Sequence, residues 1–231
     1  MGTSSSAAGP KSPAWSTAKT AATNYAKGRN GAGANRVVNR VARAIGGSGD
    51  SGAWSGGAAT AAQRMGGLLG GAIATSLAEA LQSVGLGDLV GKPTGDALFE
   101  ILDWVAGDAA TLDDQAARRA AEEVLSELLA AGEDVFDAPL DGATAADLFR
   151  SFLVAYLTRS VLNPIAKRLT ENAPAKRAET LERDIGRVID ALVHVEIAAE
   201  RMSTIDWFGP EGTVVVDRLR TEALELLAGA E

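Results

Sequence analysis

Apolar residues return every three or four positions along most of this 231-residue chain, and no run alternates apolar with polar residues for long enough to require a sheet. Helices therefore have to supply the core. Hydrophobic residues make up 46% of the chain. Much of that share is Ala, which favours helix and close helix approach. The pattern predicts an all-α protein: a helical bundle of about seven or eight helices with a flexible N-terminal tail. No period of 20–50 residues marks a repeat architecture.

Residues 1–13, MGTSSSAAGPKSP, are small, polar and interrupted by proline. They lack the apolar surface to offset the entropy of ordering. Residues 14–27 predict a weak helix anchored by Trp15, ended by GRNGAG at 28–33. Residues 1–34 are read as a flexible, basic tail and residues 35–231 as a single α-helical domain. Asn35 is in position to cap a helix over 36–45, with Val37, Val38, Val41 and Ile45 on one side and Arg36, Arg40 and Arg43 on the other. GGSGDSG at 46–52 then makes a loop.

Over 57–84, Met65, Leu68, Leu69, Ile73, Leu77 and Leu81 keep a helical spacing. Gly66, Gly67, Gly70 and Gly71 lie inside that stretch. Each is about 0.5–1 kcal/mol worse than Ala in a helix interior. Very close contact with another helix across the glycine face, within or between chains, is the expected compensation. After a turn at GLGDLVGKPTGD, Thr94 or Asp96 is expected to cap a helix carrying Leu98, Phe99, Ile101, Leu102, Trp104 and Val105. Residues 113–131 form the next, with Asp113 and Asp114 at the end where the helix dipole favours acids. Asp141 or Thr144 begins a helix running to Leu162, before Asn163-Pro164. A long helix is expected at about 175–202. Asp206-Trp207-Phe208-Gly209-Pro210 breaks the chain, and a final helix covers about 211–228.

The formal charge of −8 is unevenly spread. Residues 1–72 carry eight bases and one acid, Asp50, whereas residues 73–231 carry 14 bases and 29 acids. A basic arm on an acidic body can fold back on itself, bind nucleic acid or dock on an acidic partner. Arg29, Arg36, Arg40 and Arg43 are the candidate contacts for nucleic acid or an acidic partner. Aromatic residues, at 5%, are too few for a base-stacking platform.

The chain has no cysteine, which excludes disulfides, thiol catalysis and Cys-based zinc or iron–sulfur sites. Its one histidine, His194, is two residues from Glu196 and does not share a helical face with it. GSGDSG has the letters of a dinucleotide-binding loop but follows a helix-like segment rather than a strand. LGDLVGKPT resembles a phosphate-binding loop, but Leu86 and Pro93 stand where Gly and Ser or Thr are needed. Lys92 is read as a solvated turn residue. No catalytic residue, cofactor or metal site is predicted. The longest nearly apolar run, Met65 to Ala78, is shorter than the roughly 18 residues a membrane span needs. With no apolar leader segment, a cytoplasmic protein is expected.

The N-terminus carries the functional expectation. Gly2 is small enough for Met1 to be removed, which exposes an α-amine whose pKa of about 7.7–8 leaves part of it neutral near pH 7. Thr3 and Ser4 leave that amine unhindered. The opening Met1-Gly2-Thr3-Ser4-Ser5-Ser6, the Gly9-Pro10 pair and Pro13 before Trp15 resemble the leader of the QatB family of bacterial anti-phage defence. Gly46-Gly47 followed by Ala62, Arg64, Met65 and Gly66 is also similar to that family's pattern. The resemblance covers about the first 70 residues. It implies a non-enzymatic component whose partners are an ATPase, a QueC-like enzyme and a TatD-like nuclease. It further implies that Gly2 accepts a carboxylate activated by the QueC-like enzyme, in a deazaguanine-type conjugation. Thr3, Ser4, Gly9 and Pro10 would form the recognition tail and the body a docking scaffold.

Overall fold

The computed structural model describes residues 12–29, 31–46, 56–130, 134–193 and 199–229. All regular structure among them is helical. The α-helices are α1 (Pro13–Ala26), α2 (Ala34–Gly46), α3 (Gly56–Ala74), α4 (Leu77–Ser83), α5 (Thr94–Ala106), α6 (Leu112–Ala130), α7 (Asp134–Asp137), α8 (Gly142–Leu162), α9 (Ala166–Asn172), α10 (Ala175–Leu192), α11 (Ala199–Met202) and α12 (Pro210–Gly229). A 3₁₀ turn spans Gly87–Leu89. Two of the twelve, α7 and α11, are single turns, and the total exceeds the seven or eight expected. None of the described helices is long and apolar enough to cross a membrane.

The helical body divides into two compact units. Among the described residues, the first comprises 12–29, 31–46, 157–193 and 221–229. In it α1 packs on α2 and α9, and α10 packs on α2. The helix expected over 14–27 is α1, and it is docked within this unit. Trp15, Ala18, Ala22, Tyr25 and Ala26 are buried, and the Tyr25 hydroxyl donates to Asp184 Oδ2 at 3.2 Å. The small residues at 18, 22 and 26 make this seam narrow enough for close approach. Val37, Val38, Val41 and Ile45 are buried on α2 as their spacing requires. Asn35 lies inside the first turn of that helix rather than capping it.

Among the described residues, the second unit comprises 56–130, 134–156 and 199–220. Helix α3 runs through it, in contact with α4, α5, α6 and α11. The continuous helix read over 57–84 is two helices. Ser76 turns extended, and its side chain accepts from Glu79 N, so it caps α4 and stops α3. Helix α6 starts with a reciprocal cap: Asp114 Oδ2 accepts from Thr111 N at 2.9 Å, and Thr111 Oγ1 accepts from Asp114 N at 3.0 Å. Asp141 caps α8 by accepting from Thr144 N at 3.0 Å. At α5 neither Thr94 nor Asp96 caps; the extended backbone of Pro93 opens the helix without a side-chain bond. The long helix expected over 175–202 is described as α10, ending at Leu192, and α11. His194 lies outside the described residues, as does GSGDSG at 47–52.

The glycine face of α3 packs within the chain. A Cβ on Gly66 would overlap the ring of Trp207, and one on Gly67 would come 2.5 Å from Phe208 Cζ. A Cβ on Gly70 would overlap the carbonyl of Met202. Trp207 is held there by donating from Nε1 to Met202 O at 2.9 Å and by stacking obliquely on Phe149, 5.2 Å between centroids. The expected helix–helix contact is made by Gly71, whose Cβ position lies 3.0 Å from Ala80 Cβ on α4. Gly70 makes a second such contact, against the last carbonyl of α11, whereas Gly66 and Gly67 receive aromatic rings.

Candidate functional site

Residues Gly2, Thr3, Ser4, Gly9 and Pro10 lie outside the described residues. The described chain opens at Ser12, whose side chain accepts from Trp15 N at 3.3 Å and caps α1, with Pro13 in the first turn. Trp15 is 4% exposed. The attachment point of any leader is thereby fixed to the first unit.

Three of the four candidate arginines meet around one cleft. Helix α1 ends in a left-handed glycine cap. Gly28, at φ 64°, lets Gly28 N donate to Tyr25 O at 2.9 Å and Arg29 N donate to Asn24 O at 3.0 Å. The Arg29 side chain then returns to the same residue, donating from Nη1 to Asn24 Oδ1 at 3.0 Å. Gly31, at φ 76°, turns the chain into α2. On α2, Arg36 and Arg40 are one turn apart and face the same side. Together with Ser16, Thr17, Thr20 and Asn24 of α1 and the 31–33 backbone, these arginines line a cleft of about 340 Å³.

Arg43 does something else. Its Nε donates to Ala228 O at 3.0 Å, and the buried Asn39 donates from Nδ2 to the same carbonyl at 2.5 Å. Together they satisfy a carbonyl that the end of α12 leaves without a partner in its own helix. Four arginines of one short segment thus divide into three around a cleft and one that ends a helix.

The sequence predicts the α1 helix but not that its polar side faces the arginines of α2 as one wall of a cleft. The signal was present: Ser16, Thr17, Thr20 and Asn24 recur at helical spacing opposite Trp15, Ala18, Ala22 and Tyr25. Lys92, as read, is a turn residue; its Nζ pairs with Glu100 Oε1 at 2.9 Å, and that partner raises its pKa above the ordinary lysine value.

Of the residues behind the family resemblance, Ala62, Arg64, Met65 and Gly66 are packing residues of α3. Ala62 and Met65 are fully buried, and Gly66 receives the Trp207 ring. Arg64 lies over the Trp104 ring at 5.4 Å from its centroid and donates to the Trp104 carbonyl. A family model described as Qat anti-phage system associated protein QatB matches residues 46–227. The chain belongs to the QatB family. The match takes in the α3 pattern and nearly all of the helical body, well beyond the first 70 residues on which the resemblance was based. QatB membership makes the chain a component of an anti-phage defence system. No curated protein and no solved structure matches the chain.

Proposed function

We propose that this QatB-family chain is a non-enzymatic, cytoplasmic component of the Qat system, with Gly2 as a modification substrate and the helical body as a docking scaffold. Removal of Met1 gives the Gly2 amine, partly neutral near pH 7. A QueC-like partner activates a carboxylate by adenylation. The amine attacks the carbonyl carbon, an amide bond forms, AMP departs with the acyl–oxygen electron pair, and the nitrogen gives up a proton. Thr3 and Ser4 leave the amine open and, with Gly9 and Pro10, are read by the enzyme. An ATPase and a TatD-like nuclease are the remaining partners.

The observation that carries this reading is the anchored start of α1 in a chain of this family. From Ser12 onward the backbone is committed to the first unit by a cap and a buried Trp15. The ten residues from Gly2 to Lys11 can extend at most about 35 Å from that anchor. That is reach enough to enter a partner's active site while the body stays docked.

The test is a phage-infection assay of the complete system with Gly2→Leu, whose bulky second residue retains Met1 and blocks the amine. The substitution precedes Ser12, so the far-UV circular dichroism of the body should not change. Loss of protection is expected; full protection by this variant contradicts the proposal.

A further inference from the structure

The cleft between α1 and α2 has a lining whose charge is all of one sign. From residue 12 to residue 46 the sequence holds six Lys or Arg side chains and no carboxylate. Among the described residues, Arg36 and Arg40 have neither a hydrogen-bond nor an ion-pair partner, and Arg29 is steadied only by the neutral Asn24. Arg40 is half-buried, and Arg29 and Arg36 are exposed at the rim. Thr17 and Thr20 donate their hydroxyl protons back to Pro13 O and Ser16 O, so the cationic groups dominate what the lining can offer a ligand. Gly33 and the start of α2, with no acid in its first turn, border the same space and add the positive end of a 13-residue helix.

Arginines lining one cleft from the α1–α2 turn and from α2 suit a tetrahedral oxyanion, since a guanidinium offers several N–H donors in a fixed fork. At about 340 Å³ the cleft falls in the size range of small-ligand pockets. Nucleic acid would call instead for a row of cations tracking successive phosphates. Arg43, which would extend such a row, is held by the Ala228 carbonyl. We infer that the cleft between α1 and α2 binds a small phosphorylated molecule of nucleotide size, its phosphate held by Arg29, Arg36 and Arg40. This site is separate from Gly2, and the inference stands whether or not Gly2 is modified.

Calorimetric titration of the full chain with pyrophosphate, AMP and a 20-nucleotide single strand tests it. Saturable binding of pyrophosphate or AMP at one site per chain is expected. The double variant Arg36→Gln/Arg40→Gln should weaken it at least tenfold, with circular dichroism and melting temperature unchanged, because neither side chain holds the fold together. Lys27→Gln, which removes a charge next to the lining but not in it, should change affinity less than twofold. Absence of saturable binding at millimolar pyrophosphate and AMP would overturn the inference, as would a double variant that binds as well as the parent. So would tighter binding of the oligonucleotide than of either small probe, with a salt dependence worth several phosphate contacts.

Discussion

At the residue scale the fold turns on where a Cβ is missing. Gly70 sits against the Met202 carbonyl, which is backbone and cannot rotate away. Gly70→Ala should therefore destabilise the protein by about 1–3 kcal/mol despite the better helix propensity of Ala. Gly186, in the middle of α10, has only Thr158 Cγ2 at 3.6 Å from its Cβ position, an ordinary contact. Gly186→Ala should stabilise by about 0.5–1 kcal/mol. Urea unfolding of the two variants checks the opposite signs; equal signs would mean that helix propensity, not packing, decides both. Asp141 makes a second prediction at this scale. Hydrogen bonds from the Thr144 backbone, and then from its hydroxyl, hold this carboxyl below the ordinary aspartate range. A depressed folded-state pKa contributes stability above the unfolded-state value near 3.9, and that contribution is lost as pH falls through the folded-state value. Asp141→Ala should thus lower the melting temperature at pH 7, and the difference should vanish once the pH is below both values. The sequence reveals that the glycines of α3 need close partners. It does not reveal which ones, because Trp207 and Phe208 are about 140 positions away and periodicity carries no long-range pairing.

At the scale of elements, periodicity located α5, α6, α8, α10 and α12, each of which buries apolar residues at helical spacing along one side. It failed where a short polar feature overrides the period. Ser76 splits α3 from α4 although Ile73, Leu77 and Leu81 continue the stripe across the break. Helix α9 gives no periodic signal, because Asn163-Pro164 and Pro174 bracket a stretch of only seven helical residues, with Leu169 as its buried anchor. Helix α1 was underestimated for a different reason: its seam is mostly Ala, which reads as weakly apolar yet allows close contact with α2. The buried indole of Trp15 gives this seam its main large side chain, so Trp15→Ala should cost about 3–5 kcal/mol. Hydrogen exchange should show α1 losing protection from Ala18 to Ala26. Protection retained in that variant would mean the seam of small residues holds α1 unaided.

At the scale of the molecule, the uneven charge read from the sequence resolves into function by location. Within the basic stretch, residues 12–46 form α1, the turn and α2 inside the first unit, with a cleft ringed by three arginines. The QatB match covers residues 46–227, from α3 through most of α12, and leaves out α1 and all but the last residue of α2. The proposed mechanism gives leader and body different roles: the leader carries the reactive amine and the body docks the partners. That division is tested most directly by the intact mass of the chain purified after co-expression with its neighbouring genes. The account predicts added mass confined to the tryptic peptide from Gly2 to Lys11 and absent from the Gly2→Leu variant. An unmodified N-terminus in a system that still protects against phage would contradict it.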